Sequence, residues 1–190
     1  MYEVRIHGRG GQGAVLAAEL LATALVIEGK YAVSIPSFGF ERRGAPVVSF
    51  MRCSDREIRQ LTNIYTPDCI ICVDPTVANS VDIFAGLKPG GALVQATSRP
   101  LAELHLPATV GTVGLCDAVR IANEIFGRLI TNTLMLGAFA RTTGMVSLEA
   151  LKQVIEESDF RDAGLKQNLT ALERGYTETV VHTIERRVTA

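Results

Sequence analysis

Long uncharged apolar stretches are missing from these 190 residues. No window of about 18 residues is apolar throughout, so no membrane-spanning helix is expected. An excess of charge of one sign is missing too. With 19 Lys and Arg against 20 Asp and Glu the formal charge is −1, which gives no field for nucleic acid or anionic lipid. A strand pattern begins at Tyr2 and leaves no room for a signal peptide, so the expectation is a cytoplasmic protein. Histidine and cysteine are scarce: His7, His105 and His182 lie far apart, and the cysteines are Cys53, Cys69, Cys72 and Cys116. Cys69 and Cys72 have C-x-x-C spacing but sit in an apolar run between Asp68 and Asp74 that reads as a buried strand. A period of two sends their side chains to opposite faces, against shared ligation or a redox pair. With no C-x-x-C-x-x-C cluster, no iron–sulfur centre is expected on this chain, and no metal. G-x-S-x-G, H-E-x-x-H and G-K-[ST] are absent as well. Without a nucleophile, base or metal set, no residue is expected to be catalytic, and the chain reads as a subunit rather than an autonomous enzyme.

What is present is a core and a turn. At 47% apolar residues the chain is large enough to bury a core without disulfides or metal, and residues 1–190 read as a single domain. Tyr2, Val4 and Ile6 alternate with Glu3 and Arg5 as a first strand. Gly8, Gly10 and Gly13 then spell G-x-G-x-x-G, and Ala14 to Glu28 read as a helix stopped by Gly29. Glycines allow a sharp turn and close approach. The helix start offers unpaired N–H groups and a partial positive charge, to which Arg9 adds a full one. Three readings stay open: a bound anion such as a phosphate, tight packing or docking without a ligand, and a nicotinamide dinucleotide site. The last usually has an Asp or Glu about 20 residues further on, where this chain has Ala32 to Pro36. His7, at the mouth of the turn, either touches a ligand or merely ends its strand.

Further on, Tyr31–Ile35 and Val47–Arg52 read as strands around an ordered loop holding Phe38, Phe40, Glu41, Arg42 and Arg43. Aromatics beside paired arginines suit a protein interface, a flat anionic ligand or plain structure. Ser54 and Glu57 predict a short helix to about Asn63. Cys69–Val73 is a strand, followed by Asp74 as helix cap or ligand-facing residue and a helix over about Val77–Phe84. Ala92–Ala96 and Val110–Leu115 complete an α/β, Rossmann-like, doubly wound sheet. C-terminal helices follow: Cys116–Phe126, then from about residue 129 Leu129–Thr143, Ser147–Glu157 and a segment 161–187. In Leu129–Thr143 the residues Asn132, Thr133, Gly137 and Ala140 form a small, polar stripe that invites close contact, within the chain or with another subunit.

Three blocks together carry a resemblance: His7 to Ala14 (HGRGGQGA), Pro36 to Pro46 (PSFGFERRGAP) and Asn132 to Ala138 (NTLMLGA). They resemble the gamma subunit of 2-oxoacid:acceptor oxidoreductases of the pyruvate, 2-ketoisovalerate and phenylglyoxylate type. The resemblance implies a complex that converts a 2-oxoacid and coenzyme A to acyl-CoA and CO₂. Thiamine diphosphate, Mg²⁺ and [4Fe-4S] clusters would be held by alpha, beta and delta subunits, with ferredoxin or another acceptor taking the electrons. It also implies that Gly8, Arg9, Gly10, Gly11, Gln12 and Gly13 face the active region, with Phe38 to Gly44 as a second contact loop. Arg9, Arg42 and Arg43 would then meet coenzyme A phosphates or a partner's carboxylates, a task that suits bidentate arginine. Phe40 fits a bulkier or aromatic substrate.

Overall fold

The computed structural model describes residues 1–36, 44–160 and 162–184. Seven strands form one mixed sheet in the order β2-β3-β1-β4-β5-β6-β7. β1 (Tyr2–Arg9) is central and runs parallel to β4 (Cys69–Cys72), with β5 (Gly91–Ala96) and β6 (Val110–Cys116) continuing in the same direction. On its other side β1 pairs antiparallel with β3 (Pro46–Ser54), which pairs with β2 (Tyr31–Pro36). The chain therefore leaves β1 toward one edge and returns at β4 toward the other. That switch of direction lies at the carboxyl ends of β1 and β4, where ligands of such sheets collect.

Alternation along β1 decides what each face meets. Val4 and Ile6 are fully buried with Met51, Cys69, Ile71 and Val94 under a helical layer. That layer comprises α1 (Ala14–Ile27), α2 (Ala118–Phe126), α3 (Asn132–Thr143), α4 (Leu148–Glu157) and α5 (Asp162–Glu178). The opposite face packs Ile70, Cys72, Leu93 and Val113 against Val77, Ile83 and Leu87. There the cover is loop and two 3₁₀ turns, Val77–Asn79 and Leu101–Glu103. Cys69 and Cys72 thus lie in opposite layers, as the strand period requires. Burial pushes the Cys72 thiol up to about 12 and the Cys116 thiol up to about 11, so both stay protonated at neutral pH. No helix among the described residues is long and apolar enough to cross a membrane.

Four elements depart from expectation, the first three because partners elsewhere in the chain capture backbone groups. The helix expected from Ser54 to Asn63 does not form. Arg52, buried at the end of β3, donates to the carbonyls of Gln60, Thr62 and Asn63, and the Ser54 hydroxyl accepts from Arg56 N–H in a local turn. The helix expected over Val77–Phe84 shrinks to one 3₁₀ turn, since Arg5 reaches across from β1 to the carbonyls of Ile83 and Ala85. The last helix ends at Glu178 rather than near 187. Val180–Thr183 form β7, antiparallel to β6, so Val110–Cys116 is not the final strand. A β-branched run (Thr179, Val180, Val181) favours a strand there, despite the helical spacing of Val180 and Ile184. The helix expected from Leu129 starts at Asn132.

α3 and α5 approach closely because each contributes a glycine. A Cβ on Gly137 would run into the Leu172 carbonyl, and one on Gly175 into the Leu134 carbonyl. The Thr133 hydroxyl donates to Asn168 Oδ1 at 2.8 Å in the same seam. The small, polar stripe of α3 is therefore used within the chain, against α5.

Candidate functional site at the ends of β1 and β4

The glycine turn stands at the switch point. Arg9 carbonyl accepts from Gln12 N–H at 3.0 Å, and Gln12 Oε1 accepts from Arg9 N–H at 2.8 Å, so the turn closes on itself. Gly13 then caps α1 with φ 75°, left-handed backbone that favours glycine. It also has a neighbour: a Cβ at this position would lie 2.5 Å from Asn132 Nδ2, at the head of α3. Asn132 is 5% exposed, and its Oδ1 has no hydrogen-bond partner among the described residues. One residue earlier, the Thr131 hydroxyl donates to the Val73 carbonyl at 2.8 Å. The start of α3 thus holds the ends of β1 and β4 together.

Arg9 and Asp74 connect the turn to the rest of the switch point. Arg9 Nε donates to the Thr76 hydroxyl at 3.0 Å and Nη1 to the Gly44 carbonyl at 3.0 Å. Nη2 donates to the Thr76 carbonyl at 3.2 Å and to the Ser80 hydroxyl at 3.4 Å. Backbone bonds from Gly10 N to Ala45 O (2.9 Å) and from Gly44 N to Gly10 O (3.1 Å) join the turn to the foot of the loop before β3. Asp74 accepts from Gln12 Nε2 through Oδ2, and from the N–H and hydroxyl of Thr76 through Oδ1 at 2.7 and 2.6 Å. Its Oδ1 lies 3.7 Å from Arg9 Nε. Burial works against the charge on Asp74. The bonds from Thr76 and Gln12, with Arg9 beside it, outweigh that and hold its carboxyl below the usual carboxylate range. Asp74 is accordingly a member of the site; it closes a local turn onto Thr76, and Thr76, not Asp74, stands at the cap position of the 3₁₀ turn.

His7 does not line the mouth of the turn. It points to the opposite face from Ile6, is 7% exposed, and its Nε2 has no partner among the described residues. Burial, aided by the Arg5 cation, pushes its pKa down to about 4, with Asp82 opposing, so the imidazole is neutral at physiological pH. Phe38, Phe40, Glu41, Arg42 and Arg43 lie outside the described residues; Gly44 is brought against Arg9 and Gly10. Sequence reasoning missed Thr76, Thr131 and the contact of Asn132 with Gly13. The one signal for the last pair was a polar run at the head of an apolar helix.

The chemistry of this arrangement is binding and positioning. α1 begins with no side-chain cap and no acid in its first turn, so its first N–H groups remain available to an anion. Arg9 is largely committed to protein acceptors, which makes it a strut with one charged edge rather than a free phosphate clamp. Among the described residues no group of three or more His, Cys, Asp or Glu could hold a metal ion.

Comparison with known proteins agrees with this architecture. Residues 3–178 match the family model described as pyruvate ferredoxin/flavodoxin oxidoreductase. The chain is 75% identical over 190 residues, all of both chains, to the gamma subunit of NADH-dependent phenylglyoxylate dehydrogenase from Aromatoleum evansii. It is 47% identical to the common gamma subunit of pyruvate/ketoisovalerate oxidoreductases from Thermococcus kodakarensis, over 96% of this chain and 99% of that one. Among solved structures, the pyruvate oxidoreductase subunit PORC of Thermotoga maritima superimposes with a TM-score of 0.83 at 36% identity, covering 95% of this chain and 97% of that one. The chain therefore belongs to the pyruvate ferredoxin/flavodoxin oxidoreductase family, on the side of its gamma subunits.

Proposed function

We propose that this chain is the gamma subunit of a cytoplasmic complex that oxidatively decarboxylates a 2-oxoacid with coenzyme A, releasing acyl-CoA and CO₂. The observation that carries this reading is the 75% identity, across the whole of both chains, to a gamma subunit named for phenylglyoxylate. The same likeness favours an aromatic 2-oxoacid. Thiamine diphosphate, Mg²⁺ and [4Fe-4S] clusters belong in this reading to alpha, beta and delta subunits, and ferredoxin or another acceptor takes the electrons. The thiamine group supplies the decarboxylation chemistry when bound there.

This chain's own contribution is the switch point at β1 and β4. In this reading the turn Gly8, Arg9, Gly10, Gly11, Gln12 and Gly13 meets coenzyme A phosphates or a partner's carboxylates, and the same role is proposed for Arg42 and Arg43. The first N–H groups of α1 attract the anion, and the Arg9–Asp74 strut keeps the turn in one conformation so that little ordering is needed on binding. An NAD(P) dehydrogenase reading is disfavoured by the end of β2, Ser34, Ile35 and Pro36, which offers no acid for a ribose.

The test is a panel of 2-oxoacids with coenzyme A on the purified complex, following reduction of an acceptor dye. Phenylglyoxylate turned over better than pyruvate supports the aromatic assignment, and the reverse overturns it. Arg42→Ala with Arg43→Ala is expected to raise KM for coenzyme A or lower recovery of the complex. Normal KM and normal assembly would overturn the arginine assignment.

A further inference from the structure

We infer that a cleft at the carboxyl ends of β4, β5 and β6 is a second ligand site, shaped for a small aromatic carboxylate. The cleft has a volume of about 640 Å³, within the roughly 300–1,000 Å³ of small-molecule sites. Its place follows from the sheet. Three parallel strands end side by side there, and Thr76, which accepts from Arg9 at the glycine turn, also lines the cleft. Ile83, Phe84, Leu93, Leu104 and Leu106 give it an apolar lining. Gln95, 7% exposed, adds a carboxamide to that lining and is held by a bond from its Nε2 to the Ala96 carbonyl at 3.0 Å.

The charged groups of the cleft select among ligands. Arg120 is committed to Asp117, Glu124 and Glu178 at 3.4, 2.9 and 2.7 Å. Arg99 lines the cleft too, and its guanidinium has no hydrogen bond or ion pair with any described residue. An uncommitted guanidinium beside an apolar lining suits a carboxylate, which it meets bidentately. A phosphate is a poor match. Asp117 caps α2 by accepting from Arg120 N–H at 3.3 Å, so the helix start that would draw a phosphate already carries an acid. Glu103 adds a second acid to the lining. The cleft therefore differs in chemistry from the anion site proposed at the glycine turn. Phe84 and His105 supply rings against which an aromatic body packs.

The experiment is calorimetric titration of the purified full chain with benzoate, phenylglyoxylate, benzyl alcohol and adenosine monophosphate. Both acids are expected to bind saturably, about fivefold or more tighter than the uncharged alcohol and the phosphate. Tighter phenylglyoxylate would identify the ligand as a 2-oxoacid, tighter benzoate as a plain aryl acid, and either supports the inference. Arg99→Ala is expected to weaken benzoate by about fivefold. Leu104→Trp, which fills the cleft, is expected to weaken it by about tenfold, and Arg128→Ala, an exposed arginine outside the cleft, to leave it unchanged. Four results overturn the inference: no saturable binding of either acid, adenosine monophosphate bound as tightly as benzoate, Arg99→Ala within about twofold of wild type, or wild-type affinity in Leu104→Trp. The inference stands on the cleft alone, so a complex that turns over no 2-oxoacid overturns the subunit reading and leaves these titrations as they are.

Discussion

Gln12 donates its carboxamide to the Asp74 carboxylate, tying the turn after β1 to the turn after β4 across 62 residues of sequence. Both ends of the switch point are thereby set by one carboxylate, which also holds Thr76 and lies near Arg9. Asp74→Asn removes the charge and one acceptor site. The expected cost is about 1–3 kcal/mol of unfolding free energy, read as a lower urea midpoint with an unchanged m-value. Because the carboxyl is held below its ordinary value, its contribution is present at neutral pH and is lost as pH falls through that lowered value. The variant therefore matches wild type most closely in strong acid.

At Gly13 backbone and packing penalties add. Gly13→Ala meets a left-handed φ of 75° and Asn132 at 2.5 Å, whereas Gly29→Ala meets φ 81° and open space. Gly29→Ala is expected to cost about 1–2 kcal/mol from backbone strain, and Gly13→Ala more. Shortening the neighbour in Gly13→Ala with Asn132→Ala should return part of the excess, a coupling that a double-mutant cycle reads directly.

Gly137 and Gly175 reverse the usual helix rule. Alanine in a helix interior normally gains about 1 kcal/mol over glycine, and Gly164→Ala, with nothing near its Cβ, is expected to show that gain. At Gly137 and Gly175 the added methyl would collide with backbone carbonyls of the partner helix. Both alanine variants should lower the thermal midpoint by several degrees.

Acid stability carries the signature of His7. Its pKa falls from 6.5 to about 4 in the fold, so below pH 6.5 the unfolded chain takes up a proton that the folded chain refuses. Stability contributed by the neutral imidazole is full above pH 6.5 and declines toward pH 4, by about 3 kcal/mol in all. His7→Leu removes both this slope and the unpartnered Nε2. Unfolding of the variant at pH 7 and pH 4.5 should differ less than that of wild type.

Local patterns predicted the local structure. The alternation of Tyr2, Val4 and Ile6, the three glycines and the apolar run after them gave strand, turn and helix in place, and the C-x-x-C pair lies on opposite faces as its spacing demands. What the pattern did not show was decided by contacts between residues far apart. Arg5 and Arg52 sit on strands yet dictate the shape of segments 8 to 80 residues away, and they abolish one expected helix and shorten another. β7 is stabilised by its antiparallel register with β6, which no local periodicity encodes. In the site, the glycine turn and Arg9 were legible from spacing and charge. Asp74 was legible as a cap or ligand-facing residue at the end of its strand, whereas Thr76 and the contact of Asn132 with Gly13 joined the site only because β1 and β4 end where α3 begins.

The measurement that bears most directly on the central claim is affinity purification of the tagged chain from its native cells, with subunit identification and a 2-oxoacid assay in the presence of coenzyme A. The account predicts recovery of thiamine- and cluster-bearing subunits together with acceptor reduction that depends on an aromatic 2-oxoacid. Recovery of the chain alone, binding NAD(P), would contradict it.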